Sequence, residues 1–342
     1  MKRNYIGLLF LAAILFTGVA CNSGSDYKKD ATGKPYEVFV IMNDDVWNGY
    51  PGDTLKSILW EPFPMVSQYE PLYSLYQAQP GAFSNLLKQF RNLLFYRTGP
   101  EYAEPSIKAE YNKWAENQIV INITGPDNAA TVAYMDQHRG ALQKFFDTEE
   151  QKRFISRANR YVDREIQKEV FDHVGVMINI PQGYKIRSKH PDFIWISYEL
   201  PLISQGIIIY KYPLDSRNTF TPEYLYERRN EFVSLIPGPT EGSYMSTSDV
   251  FIPEVTQTYF PDDRLWFMTQ GFWDVAGDFM GGPFTSYSTV NATTREVVTI
   301  DTYVFSPKYD KRNYVRQLQS IAQTATLPGD SETTVDYRGL PE

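Results

Sequence analysis

Apolar residues recur in this chain at two spacings, every second residue in some stretches and every third or fourth in others. The order of those stretches predicts an α+β fold in two sheet-and-helix halves, residues 36–170 and 171–325, with mainly antiparallel strands and more strand in the second half. In the first half, Tyr36 to Met42 is an apolar, β-branched run closed by Asn43, Asp44 and Asp45, which predicts a buried strand. Asp53 is placed to cap a short helix from Thr54 to Trp60. Prolines at 62, 64, 71 and 80 leave only loop and edge strand between 61 and 80. Ser84 to Arg91 has helical spacing, Asn92 to Tyr96 reads as extended, and Gln118 to Ile123 alternates like a strand. Asp127 then caps a helix to Phe146, and a second helix runs from Glu149 to Val170.

The second half opens with three extended runs, Val174 to Ile180, Phe193 to Leu200 and Gly206 to Tyr212, punctuated by Pro181, Gly183, Pro191 and Pro201. Thr221 and Pro222 start a helix that carries Arg228 and Arg229 to Leu235. Further strands are predicted over 244–250, 255–260, 265–273, 284–290 and 297–305, and Asp310 opens a last helix to Ala325. Residues 326–342 are polar, contain Pro and Gly, and read as a disordered tail. Ile119 to Asp127 and Thr302 to Asp310 share the order strand, small residue, Pro, Asp, helix; ordinary turn chemistry explains this more simply than an internal duplication.

Composition changes the picture at one residue. The chain has 342 residues, a formal charge of −8 and a single cysteine, Cys21. An acidic balance argues against a nucleic-acid partner. One cysteine excludes an internal disulfide and a multi-cysteine metal site. Its position is more telling: Lys2 and Arg3, the apolar run Ile6 to Phe16 and the small residues Thr17 to Ala20 lead directly into Cys21. Residues 1–20 therefore read as an export signal and Cys21 as the acylated residue of a lipobox, although Gly18 stands where Leu is commonest. Several acyl chains bury enough methylenes to hold a protein at a membrane. Residues 21–35, rich in Ser, Gly, Asp and Lys, read as a flexible tether. The expected location is the outer membrane, periplasmic face or cell surface.

Catalytic signatures are scarce. The chain contains no G-x-S-x-G, H-E-x-x-H, Walker or G-x-G-x-x-G sequence. Of its three histidines, His138 and His190 read as solvated, the latter in a loop, and His173, entering a strand from the charged end of a helix, reads equally as a catalytic candidate or a structural cap. No cofactor and no metal are expected. The densest unusual stretch is GFWDVAGDFMGGPFTSY, 271–287, where Trp273, Phe279 and Phe284 accompany Asp274 and Asp278. Either a ligand lies on these rings, or the stretch is a hairpin whose aromatics fill the core; the hairpin is the simpler expectation. IPGPTEGSYMS, 236–246, is the second such place, and Glu241 there is expected to meet Arg228 or Arg229, unless those arginines bind an anion.

The lipobox together with Ser204-Gln205-Gly206 before IIIYKYP, the IPGPTEGSYM and GDFMGGPF blocks and the closing KRNYVRQLQSI resembles an uncharacterised family of Bacteroidota lipoproteins carrying a domain of unknown function. The resemblance implies an envelope lipoprotein with an α+β body and brings no catalytic residues with it. The resulting expectation is a membrane-tethered, non-enzymatic accessory protein that recognises another envelope component. The alternatives are a glycan- or peptide-binding module using Trp273 to Phe284, and a hydrolase using a carboxylate pair.

Overall fold

The computed structural model describes residues 28–250, 254–330 and 341. The export signal, Cys21, residues 21–27 of the tether and residues 331–340 and 342 of the tail lie outside the described residues.

The first sheet contains β1 (Glu37–Ile41), β2 (Ser74–Ala78), β3 (Asn92–Thr98), β4 (Ser106–Tyr111) and β5 (Ile119–Gly125) in the order β2-β1-β3-β5-β4. β1 runs parallel to β2 and β3, β3 runs parallel to β5, and β4 is antiparallel to β5. Parallel neighbours require a crossover, which α1 (Asp44–Trp47) and α2 (Tyr50–Leu59) supply between β1 and β2. On one face Val38, Val40, Leu94 and Ile121 meet Leu55 and Ile58 of α2, Met135 of α3 (Asn128–Gln137) and Leu142 and Phe146 of α4 (Arg139–Arg160). On the other, Leu93, Phe95 and Val120 lie under the loop residues Phe83, Phe90 and Trp114.

The second sheet is antiparallel throughout. After α5 (Arg164–Val174) come β6 (Lys185–His190), β7 (Phe193–Leu200), β8 (Ile203–Pro213), α6 (Pro222–Val233), β9 (Tyr244–Thr247), β10 (Glu254–Tyr259), β11 (Leu265–Ala276), β12 (Gly281–Asn291), β13 (Glu296–Phe305) and α7 (Arg312–Ala322). The strand order is β10-β11-β12-β13-β8-β7-β6, with β9 paired to the end of β11. Both faces are covered. Ile194, Ile196, Ile207, Ile209 and Ile300 pack with Ile166 and Val170 of α5 and Leu318 and Ile321 of α7. Ile208, Tyr210, Tyr212 and Val297 pack against α6, where the Tyr210 ring stacks on Phe232 at 4.4 Å. A strand covered on both faces reads as a continuous apolar run, which accounts for Ile207-Ile208-Ile209.

Helix α7 joins the halves. The carboxylate of Glu70, from the loop before β2, accepts from the backbone N–H of Lys311 at 2.8 and 2.9 Å and of Arg312 at 2.7 Å. Glu70 is buried at 2 % exposure, so its charge is held by the helix N-terminus rather than by water. Arg312 adds bonds to the Pro71 carbonyl at 2.5 Å and to Ser74 Oγ at 3.3 Å.

The expected elements and the observed ones differ at identifiable places. Asp127 and Thr221 cap α3 and α6 as expected, by accepting from Ala130 N and Tyr224 N. Asp53 does not cap its helix, because α2 starts at Tyr50 after Gly49 and Asp53 falls in the first turn. Asp310 does not cap α7; Glu70 does so from across the molecule. The expected helix from Ser84 to Arg91 is one 3-10 turn, Leu87–Gln89. Val174 to Ile180 alternates without joining a sheet: Gly175 ends α5 in the left-handed region, and Val176, Ile178 and Ile180 then point into the core while Met177 bridges to Thr326. The helix breaks fall at His138 and at residues 161–163, not at 147–148. β4 and β6 lack a strand pattern in the sequence; both are edge strands, and Lys108, Glu110, Lys185, Arg187 and Lys189 give them no apolar signal. His190 ends β6 rather than lying in a loop. Residues 326–330, expected in the disordered tail, are packed: Leu327 is buried and Asp330 accepts from Arg264 Nη1 at 2.8 Å. The two strand-to-helix turns that look alike in sequence belong to a mixed and an antiparallel sheet, and in the first alone does the Asp side chain cap the helix.

Replacing Glu70 with Ala removes a buried charged cap and leaves two amide donors without a partner. It is expected to cost about 2–3 kcal/mol of unfolding free energy in urea titration. A loss below about 0.5 kcal/mol, the small end of capping effects, would show that water replaces the carboxylate at no cost.

Candidate functional site

Three segments far apart in sequence meet at one end of the second sheet. They are the β7–β8 turn with Leu200 to Ser204, the loop after α6 with Ile236 to Pro239, and the β11–β12 hairpin with Trp273, Val275 and Met280. With Trp195, Met245, Tyr303 and Phe305 they line a cleft of about 340 Å³. The same segments carry the Ser-Gln-Gly, IPGPTEGSYM and GDFMGGPF blocks.

The strands approach closely here because two glycines permit it. A Cβ on Gly206 would stand 1.9 Å from the Tyr303 ring, and one on Gly282 would stand 2.0 Å from the Val304 carbonyl oxygen. Trp273 packs against Tyr303 at 5.4 Å with the ring planes at 68°. Its Nε1 donates to the Val304 carbonyl at 3.3 Å, and Trp195 Nε1 donates to Tyr303 Oη at 3.0 Å. Both indole N–H groups are thus paired inside the protein, and the cleft wall they leave is largely apolar. Burial raises the Tyr303 hydroxyl above the ordinary phenol range, so it stays protonated. Glu199 is the one acid lining the cleft; it faces Ser204 across the turn and accepts from its Oγ at 2.8 Å. Such a wall can hold an aliphatic or aromatic group, and the hydroxyl and acid that meet on it, Ser204 and Glu199, are bonded to each other across the turn.

The hairpin expectation for 271–287 holds in the structure. Trp273 and Phe284 are core residues at 2 % and 1 % exposure, while Phe279 at the tip is fully exposed at 105 %. Asp274 is half-buried in β11 opposite Gly281 and Ser246. Asp278 lies beside Phe279, accepting from Thr240 Oγ1 and from the Phe279 N–H. Donation from Thr240, then from that backbone N–H, holds its carboxyl below the ordinary value. The hairpin tip is in this way tied to the 236–246 loop.

Neither arginine meets Glu241. Arg229 is 1 % exposed; its Nε donates to Asp301 Oδ2 at 2.7 Å, its Nη1 to Thr247 Oγ1 at 2.6 Å, and its guanidinium lies 3.6 Å above the Phe284 ring. Ser286 Oγ also donates to Asp301. Arg228 points outward to Glu231 at 2.9 Å, with Tyr224 5.1 Å away. Glu241 is exposed in its loop and has no ion pair among the described residues. Asp301 was invisible as a partner because it lies in the middle of β13, 72 residues from Arg229. His173 Nε2 reaches the carbonyls of His190 and Phe193 at 2.8 and 3.0 Å, tying α5 to the β6–β7 turn, and His138 stacks on Tyr134 at 4.0 Å. Among the described residues no group of three or more His, Cys, Asp or Glu could hold a metal ion.

Comparison with known families divides the chain. Residues 31–159 match a domain of unknown function (DUF8532), and residues 163–324 match a second domain of unknown function (DUF4837). The join between the matches falls at the break between α4 and α5. A search of curated proteins found no match.

The two adjacent arginines should behave oppositely. Asp301→Asn strands the buried Arg229 charge and is expected to cost about 3–5 kcal/mol in urea unfolding. Arg228→Ala is expected to cost less than about 1 kcal/mol. Equal losses would contradict this assignment.

Proposed function

We propose that this chain is a lipid-anchored, non-enzymatic accessory component of the bacterial cell envelope. Cys21 holds it at the outer membrane, and the aromatic cleft recognises an apolar segment of another envelope protein. The anchor rests on the order of basic, apolar and small residues ahead of Cys21 and on the blocks that resemble those of Bacteroidota lipoproteins. Recognition rests on one observation: the three distinctive blocks converge on a single cleft lined mostly by apolar rings and chains. Phe279, exposed next to the lining residue Met280, extends that apolar surface beyond the cleft. Aromatic anchors and pockets of this kind concentrate binding energy at protein interfaces. Glycan stacking on Trp273 is disfavoured by the burial of its ring.

A photo-crosslinking amino acid placed at Phe279 in intact cells tests the reading. It predicts a discrete crosslinked envelope protein that disappears when Met280→Asp puts a charge in the cleft. The same group at Tyr161, which does not line the cleft, should not give that product. Identical products from both positions, or none from Phe279, would contradict it.

A further inference from the structure

A second cleft of about 340 Å³ lies where the two halves meet, and it differs in character from the aromatic one. Two helices, one from each half, face it with polar stripes. Gln143, Asp147 and Gln151 recur at four-residue spacing on α4, and Arg316, Gln319, Ser320 and Gln323 follow one face of α7. Tyr36 and Phe63 close one side and Gln270 of β11 adds a fifth glutamine. Helices that meet across an interface ordinarily bury apolar stripes. Here the apolar stripe of α7 is spent on the second sheet, and amides are left facing the cleft.

Each of these amides turns at least one N–H toward protein. Gln143 Nε2 donates to the Ile58 carbonyl at 2.8 Å, Gln319 Nε2 to Thr285 Oγ1 at 3.1 Å, Gln270 Nε2 to the same oxygen at 3.4 Å, and Gln151 Nε2 to Gln323. Among the described residues no group donates to the amide oxygens of Gln143, Gln151, Gln270 or Gln319. Two charged groups line the cleft, Asp147 and Arg316, and Arg316 is 8 % exposed and lies 3.7 Å over the Tyr36 ring. Its Nη1 is 3.2 Å from Asp147 Oδ1 but lacks hydrogen-bond geometry to any acceptor. Asp147 is itself positioned by the Tyr73 hydroxyl, which donates to it at 2.5 Å. The charges balance, so the cleft selects no net charge; it offers amide oxygens as acceptors and, since each amide nitrogen carries two hydrogens, the second N–H of Gln151, Gln270 and Gln319 as donors. A ligand rich in hydroxyl groups meets that inventory, since each hydroxyl can donate to an amide oxygen and accept from an amide N–H. The volume is within the range of small-ligand sites.

We infer that the cleft between the halves, walled by Gln143, Gln151, Gln270, Gln319 and Arg316, binds a neutral saccharide. This site is separate from the aromatic cleft and does not depend on the reading of that cleft. Titration calorimetry of the full chain with lactose, maltose and chitobiose, and with glycylglutamine as a peptide competitor, tests it. At least one sugar should bind saturably and the dipeptide at least tenfold more weakly. Side-chain amide resonances of the five glutamines should shift with the bound sugar. Gln151→Leu and Gln319→Leu should each weaken sugar binding tenfold or more while unfolding at a temperature close to that of the unaltered protein. If a variant is unstable, the amide shifts in the unaltered protein decide the matter alone. No saturable sugar binding, shifts confined to other residues, or a preference for the dipeptide would overturn the inference.

Discussion

The buried carboxylate of Glu70 at the N-terminus of α7 is the contact on which the arrangement of the two halves depends. A helix N-terminus carries unpaired N–H groups and a partial positive charge, and a carboxylate satisfies both. Here the carboxylate comes from the other half of the molecule, so the cap is also a tie between halves. Arg312 reinforces it with bonds to Pro71 and Ser74, and Arg316, one turn further, lies between Tyr36 and Asp147. The same helix presents Leu318 and Ile321 to the second sheet. One helix therefore belongs to the core of the second half by its apolar face and to the first half by its end and its polar face. The polar cleft exists because those two commitments leave the amide stripe uncovered.

The aromatic cleft follows from a different constraint. Because helices cover both faces of the second sheet, its inward-facing residues are large, and the strands at one end must approach without side chains at Gly206 and Gly282. The space left there is lined by rings whose N–H groups are already paired. Arg229, buried with Asp301 and stacked on Phe284, braces the hairpin that forms one wall. The two clefts thus lie at separate places and have opposite chemistry.

Local signals carried the elements whose determinants are close in sequence. Asp127 and Thr221 mark helix starts because the cap and its N–H are three residues apart, Pro222 because its fixed φ suits the first helical position, and the Ile207 run marks a fully covered strand. The β11–β12 hairpin was legible from its glycines, and the burial of Trp273 and Phe284 from the preference of aromatics for cores. What failed to show depends on partners far along the chain. Glu70 and Lys311 are 241 residues apart, and Arg229 chose Asp301 over the nearer Glu241. The parallel pairing of the first sheet was hidden because strand patterns do not state direction. β4 and β6 were hidden because edge strands carry charges where a buried strand carries apolar residues. Val174 to Ile180 shows the reverse error: alternation records which residues are buried, and a ladder of hydrogen bonds need not accompany it. The four-residue spacing of Gln143, Asp147 and Gln151 was visible, yet only the position of α7 reveals what it faces.

The central claim is that the capped helix α7 holds the two halves in one fixed arrangement. Spin labels at Lys108→Cys on β4 and Gln257→Cys on β10, both exposed positions, with Cys21 replaced by Ser, allow the separation of the halves to be measured by pulsed electron spin resonance. The account predicts a single narrow distance distribution that broadens when Glu70 is replaced by Ala. A broad or multiple distribution with Glu70 intact, or one indifferent to its removal, would contradict it.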